Sequence, residues 1–405
     1  MWKAQLSETQ PSRQCALLIS LRTMRETRDL GPNAHLIGES RSRQALATPA
    51  VILDLDDFEF NLKTMAKLCK QAGLSLRPHA KTHKSIEIAK RQIAAGALGI
   101  SVATLREATV MVTAGLPGVL LTTPVFGAVK TSLLCDLAGQ SPGFMVAVDN
   151  PAYIAALETA LRLRGKTLSV LVDIDIGMGR TGVPDLDGAL KLIKRVQSSD
   201  VLELAGLQSY SGMVQHIEKA ADRARVYGRQ LKHMEAVLNA AARAGYTPRI
   251  VSGGGTGTFD TDRRAGLFTE CQCGSYAFMD IEYEDVQLFA RGSNPYRTAL
   301  YVQCMVVSNH VPGLPTIDGG FKCFSMDGPI PRPERGAPAG SKYVFYGDEF
   351  GKIKLARKSA TLKLGSKVEL VTPHCDPTIN LHDYYHCVRG SKLVDIWPID
   401  ARGSL

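Results

Sequence analysis

His374 and Asp376 stand two residues apart in the segment VTPHCDPTINLHD, after a strand-like run from Lys367 to Val371. In an extended chain, residues i and i+2 share a face, so the two side chains would project together and Cys375 would face away. An imidazole nitrogen beside a carboxylate oxygen is half of a divalent-metal site, with open positions for water and substrate. The pattern is short, and an ordinary surface pair at a strand end would satisfy it too. A second cluster lies far upstream in LRPHAKTHKS, where Arg77, His79, Lys81 and His83 crowd the end of a strand candidate. Clustered cations are expected to depress a lysine pKa and make Lys81 a nucleophile toward carbonyl compounds. A solvated basic loop is the plainer alternative.

Three glycine-bearing segments follow strand candidates. SGGGTGT, Ser252 to Thr258, offers exposed backbone N–H groups with the hydroxyls of Thr256 and Thr258, which is the make-up of a phosphate cradle. It has no Walker lysine, so a nucleoside triphosphate is not implied. CGSYAFMD, Cys273 to Asp280, adds a Gly-Ser-Tyr cluster. GMGRTG, Gly177 to Gly182, matches the dinucleotide fingerprint letter by letter. Its helix is expected to begin only at Pro184-Asp185, beyond the last glycine, where the fingerprint needs it to open among them. It reads better as a tight loop that aims Arg180 inward. His216, in SYSGMVQH, has the chemistry of a general base, and Tyr210 in the same loop could stack on a cofactor or bind phosphate. A structural histidine and ordinary turns remain the alternatives.

The elements that must position these residues alternate regularly. Strand candidates are Val51–Leu55, Leu74–Lys81, Leu98–Ala103, Val119–Pro124, Phe144–Asp149, Leu168–Ile176, Leu204–Gly212 and Arg249–Gly253, with a ninth run at Gly274–Asp280. Helical spacing is read over Asp57–Gln71, Pro151–Arg164 and Ala220–Gly245. About eight such units with near-continuous apolar strands predict an α/β fold, an N-terminal (β/α)8 TIM-like barrel over residues 48–294. An open doubly wound sheet is the alternative. In a barrel the strand C-termini hold the active site, and the loops after strands seven and eight often hold phosphate. Residues 295–405 lack long helical patterns and read as a C-terminal all-β domain. Pro329–Gly340 is expected to be a Pro/Gly/Arg-rich loop.

The formal net charge is +9, but the basic residues are spread along the chain and not interleaved with aromatics. That argues against nucleic acid and fits an anionic small molecule. Nine cysteines without framework spacing suggest a reduced, cytoplasmic protein. No apolar run reaches membrane-spanning length. Residues 1–47 read as a leader that is disordered or partly joins the β domain. The excess of Arg13, Arg22, Arg25 and Arg28 beside the apolar Cys15–Leu21 leaves an organellar transit segment open; extra residues ahead of a true start at Met24 are an alternative.

Taken in order, TPAVILDLDDFEFNL, LRPHAKTHKS, DIGMGRTGV, LQSYSGMVQH, VSGGGTGT, CGSYAFMD, PHCDPTINLHD and DIWPIDARG resemble the D-threonine aldolase family. That family lies within the alanine-racemase-like group of pyridoxal-phosphate enzymes. The resemblance spans residues 48–403. It implies the barrel and β domain of the alanine-racemase-like fold, Lys81 as the lysine bonded to pyridoxal 5'-phosphate, and Arg180 beside the cofactor ring. It further implies cofactor contacts from Tyr210, Gly255, Thr256, Gly274, Ser275 and Tyr276, His216 as base, and His374 with Asp376 as ligands of manganese, magnesium or a similar ion. A homodimer is implied, as is cleavage of D-3-hydroxyamino acids to glycine and an aldehyde.

The chain departs from that family in places. GISVATLREA, with Ala103-Thr104, resembles the related D-serine dehydratases, and Ser211 stands where the aldolases commonly carry histidine. A D-serine or D-threonine dehydratase, releasing ammonia and a 2-oxo acid, is therefore the rival expectation. Those enzymes offer His-x-Cys as a zinc pair, whereas Asp376 is a harder oxygen ligand.

Overall fold

A computed structural model describes residues 29–357 and 360–403. The leader features at Arg13, Cys15–Leu21, Arg22, Met24, Arg25 and Arg28 lie outside the described residues.

The chain forms two sheets. The strands, in order, are β1 (Ala50–Asp54), β2 (Ser75–Leu76), β3 (Ser101–Val102), β4 (Leu120–Leu121), β5 (Met145–Val148), β6 (Leu168–Asp173), β7 (Leu202–Ser209), β8 (Ile250–Gly253) and β9 (Glu270–Cys271). They continue as β10 (Leu300–Ser308), β11 (Thr316–Ile317), β12 (Arg332–Arg335), β13 (Lys342–Phe345), β14 (Gly351–Lys354), β15 (Lys367–Val371), β16 (Tyr384–Arg389) and β17 (Lys392–Pro398). Eight strands, β2 to β9, pair in parallel in the order β2-β9-β8-β7-β6-β5-β4-β3. A bridge between His79 and Ser101, with Ser101 N–H donating to Pro78 O at 2.9 Å, joins the two ends and closes the (β/α)8 barrel.

Two strand expectations change. Val51–Leu55 was expected to open the barrel, but β1 belongs to the other sheet, antiparallel to β10 and parallel to β16. All five of its residues are buried, so its apolar run does not distinguish one sheet from the other. The eighth barrel strand is β9, the two residues Glu270–Cys271. The run Gly274–Asp280 is no strand; it holds a 3-10 turn at Ser275–Ala277.

The second sheet runs β13-β14-β11-β10-β1-β16-β17, with β15 pairing both β10 and β12. β12 lies inside Pro329–Gly340, so part of that expected loop is a strand paired to β15. Residues before β1 also reach this sheet: Gly38 N–H donates to Leu393 O at 2.9 Å and Arg43 N–H to Ser391 O at 3.1 Å. Beyond β10 the described helix is the short Cys375–Ile379.

The helices have evident causes. Leu55–Ala72 buries Phe58, Leu62, Met65 and Cys69 on one face and stops at Gly73, whose φ of 65° needs no Cβ. Pro151–Arg162 opens with Pro151 behind an Asn150 cap that accepts from Ala152 N–H at 2.9 Å. Leu186–Gln197 is capped by Asp185, which accepts from Gly188 N–H at 2.7 Å. One core runs from the barrel helices through Phe278 and Tyr385 to Val302 and Val368, so the two sheets share apolar packing. No described helix is long and apolar enough to cross a membrane.

Candidate active site

The turn after β2 carries Lys81 within a 3-10 helix, Ala80–Thr82. Its backbone is fixed on two sides, by His79 N–H donating to Cys273 O at 3.2 Å and by the His79–Ser101 bridge. Gly274 packs against this turn so closely that a Cβ there would lie 2.5 Å from Thr82 Oγ1. The Lys81 side chain, about one-third exposed, enters a pocket at the barrel mouth lined by His79, Ala103, Thr122, Thr123, Asp173, Arg180, Tyr210, Gln208 and Gln272.

The amine donates to Asp376 Oδ2, which arrives from the second sheet. His374 and Asp376 are brought together as expected, with His374 Nε2 3.9 Å from Asp376 Oδ2. The reason is different. His374 is the residue before the helix Cys375–Ile379, and Asp376 lies in its first turn, so the pair converges across a helix start and not along a strand. Asp280 Oδ2 caps that helix by accepting from Cys375 N–H at 2.8 Å, which leaves the His374 ring free of that task. Cys375 is buried and faces away, as expected.

The electrostatics correct one expectation. Crowded cations do not depress Lys81. Arg77 is held by Glu270 in a buried two-point pair at 2.7 and 2.8 Å. Burial brings His79 and His83 down to about 3, so both imidazoles are neutral. Burial also opposes charge on Lys81, but Asp376, followed by Tyr210, holds the amine above its ordinary value. In return, burial resists ionisation of Asp376, yet Lys81 and His374 pull its carboxyl below the usual range.

The loop Gly177–Gly182 shows why it is no dinucleotide cradle. Asp175 takes its amides, accepting from Gly177, Met178 and Gly179 N–H at 2.7–2.9 Å. The loop turns back to present Arg180 to the pocket, 5.4 Å above the Tyr210 ring. Of the phosphate candidates, Gly255 N–H is already used by Thr258 Oγ1 at 2.9 Å. The amides of Thr256, Gly274 and Ser275 have no acceptor among the described residues. Tyr276 is placed otherwise. Its phenol is buried against Tyr296 and accepts from Gln92 Nε2 at 3.2 Å, so only its amide, bonded to Thr256 Oγ1, reaches this region.

His216 packs edge-on against Tyr283, with ring centroids 4.7 Å apart, and its Nε2 lies 3.4 Å from Glu282 Oε2. Burial, then the His374 and Lys81 charges, brings it down to about 4. The neighbouring Gln215 accepts from Gly257 N–H at 3.0 Å, tying this loop to the glycine loop. No three His, Cys, Asp or Glu side chains form a metal-binding group among the described residues. The half-site expectation therefore stands on two side chains, with Asp376 Oδ1 buried and unpartnered.

Comparison with known proteins decides the family. The model for the alanine racemase N-terminal domain matches residues 53–282, and that for a putative serine dehydratase domain matches 299–388. A 3-hydroxy-D-aspartate aldolase of Paracoccus denitrificans (strain Pd 1222) is 34% identical over 362 residues, spanning 88% of this chain and 92% of its own. A D-threonine aldolase of an Arthrobacter species is 36% identical over 357 residues, spanning 88% and 93%. The chain belongs to the alanine-racemase-like family of D-threonine and 3-hydroxy-D-aspartate aldolases. The crystal structure of the D-threonine aldolase from Filomicrobium marinum agrees with a TM-score of 0.85 at 38% identity, covering 89% of this chain and 97% of that one.

Against that aldolase background, the dehydratase-like wording has a local explanation. Thr104 caps the helix Leu105–Thr113, and Glu107 Oε2 accepts from Ala103 N–H at 2.7 Å. Glu107 also holds Lys84 at 2.6 Å, so this stretch is tied to the Lys81 turn and presents the small Ala103 to the pocket. Ser211 is wholly buried and is not a lining residue of that pocket. Sequence reading missed Glu282 and Asp327, which lie 3.8 and 2.8 Å from His374 Nδ1. They come from loops with no recognisable spacing to His374, so nothing in the chain order flagged them.

Proposed function

We propose that the protein is a pyridoxal-phosphate- and metal-dependent aldolase that cleaves D-3-hydroxyamino acids to glycine and an aldehyde. One observation carries the reading: Lys81 at the barrel mouth meets the Asp376–His374 pair of the second sheet. That puts a carbonyl-bonding amine and a metal half-site within one substrate length.

Lys81 Nζ would bond the cofactor, and the free amides of Thr256, Gly274 and Ser275 suit its phosphate. Arg180 and Tyr210 would flank its ring. When bound, pyridoxal phosphate supplies an electron sink for charge left on Cα. His374 and the unpartnered Oδ1 of Asp376 would hold the ion, and this N/O donor set suits manganese or magnesium. A divalent ion there would lower the pKa of a β-hydroxyl. His216, neutral at physiological pH, is suited to receive that hydroxyl proton as the Cα–Cβ bond breaks. Lys81, whose amine contacts Asp376, would be suited to carry a proton at the site whenever that amine is not bonded to the cofactor.

A homodimer is part of this proposal, as is a cytoplasmic location; the eight described cysteines are free thiols. Dehydration is the second reading, favoured by the serine dehydratase domain match at residues 299–388. It needs Cα deprotonated and the hydroxyl lost, where the aldolase needs the hydroxyl deprotonated. Incubation with D-threonine and D-3-hydroxyaspartate separates them. Glycine with acetaldehyde or glyoxylate supports the aldolase; ammonia with a 2-oxo acid contradicts it.

A further inference from the structure

We infer that Asp327 is a positioning residue that sets the tautomer and ring orientation of His374. The inference rests on the proposed metal reading. Asp327 Oδ2 lies 2.8 Å from His374 Nδ1. A carboxylate only accepts, so Nδ1 carries a proton, and in the neutral ring that ligation requires Nε2 keeps the lone pair. Nε2 is the nitrogen turned toward Asp376. The geometry thus fixes the donor edge at Nδ1 and turns Nε2, the nitrogen that would ligate, toward the half-site.

The same loop grips the backbone beneath the ring. Ser325, two residues before Asp327, donates from Oγ to His374 O at 3.4 Å, and its N–H donates to Thr378 Oγ1 at 3.2 Å. Loop and helix start therefore move as one unit. Glu282 lies 3.8 Å from the same Nδ1, beyond hydrogen-bond length, and does not substitute for Asp327. Metal-bound histidines commonly donate their second N–H to such a carboxylate, and its loss lowers metal affinity by about 10–100-fold. The Asp327 side chain is half exposed, so its removal opens no cavity in the core.

The test is a manganese titration of the pyridoxal-phosphate-loaded protein, with free Mn2+ read by electron paramagnetic resonance. The proteins are wild type, Asp327→Ala and Asp327→Asn. The expected result is Mn2+ binding weakened about 10–100-fold in D327A. D327N should fall between, because the amide oxygen still accepts from Nδ1–H but carries no charge. The cofactor's visible absorbance should persist in both, and if D327A loses it, D327N alone decides. Wild-type affinity in D327N and in a cofactor-loaded D327A overturns the positioning role while leaving the metal site intact. A wild-type protein that binds no Mn2+ removes the metal reading and this inference with it.

Discussion

Lys81 Nζ and Asp376 Oδ2 are in direct contact although 295 residues separate them in the chain. The contact closes the barrel mouth against the second sheet and pairs the two groups on which the proposed chemistry depends. It also raises the Lys81 amine above its ordinary value and holds Asp376 ionised. Loading of the cofactor must therefore begin from a protonated, paired amine.

Lys81→Ala should remove the bond to pyridoxal phosphate. The visible absorbance of the loaded protein should be absent after dialysis, and activity lost. A dialysed variant that keeps the wild-type band would contradict the assignment of Lys81.

His216→Ala should leave cofactor loading intact and lower kcat by about 10²–10⁴-fold, the usual contribution of a positioned base. Its pH dependence has a definite sign. A base acts in its neutral form, and this imidazole sits at about 4, so the acid limb it controls should lie near pH 4 and not near 6.5. Unchanged turnover in the variant would leave His216 a packing residue against Tyr283.

Gly257→Ala tests the glycine loop. A Cβ at this position would lie 2.1 Å from the backbone oxygen of Gln215, which cannot swing aside as a side chain can. The loop must shift, moving the Thr256 amide. Loss of one hydrogen bond to a charged group costs about 1.5–3 kcal/mol, so pyridoxal-phosphate affinity should fall at least about tenfold. Equal affinity by equilibrium dialysis would place the phosphate elsewhere.

Arg43→Met tests how residues before β1 are held to the second sheet. The Arg43 guanidinium makes two 2.8 Å bonds to Glu369, and both side chains are buried. Removing it should cost about 3 kcal/mol, read as a lower Tm. Burial opposes ionisation of Glu369, but Arg43, followed by Arg335 at 3.0 Å, outweighs it and lowers the carboxyl below its ordinary value. The pair's stabilisation is therefore full above the unfolded carboxylate pKa of about 4.3 and fades as pH falls through the folded value. The wild-type advantage in Tm should shrink on acidification. A difference constant from pH 7 to pH 3 would contradict this.

Much of the fold was legible because barrel units repeat: β5, β6 and β8 each fall within an expected run, and β7 overlaps its run but begins at Leu202, ahead of the expected Leu204. β1 was not, because a fully buried strand carries no sign of which sheet it joins. The site was legible as residue types. Lys81, Arg180 and Tyr210 do share one pocket, and His374 does meet Asp376. Its geometry was not. A helix start replaced the expected extended chain, Tyr276 turned into the core, and Asp376 reversed the charge effect expected on Lys81. Each of these depends on a contact between segments far apart in the chain, which local periodicity does not report.

The most direct measurement is turnover of D-threonine by the pyridoxal-phosphate-loaded protein, with Mn2+ and then with chelator, reading glycine, acetaldehyde and ammonia together. The account predicts glycine and acetaldehyde in equal amounts, no ammonia, loss of turnover in chelator and its return with Mn2+. Ammonia with 2-oxobutanoate, or full turnover in chelator, would contradict it.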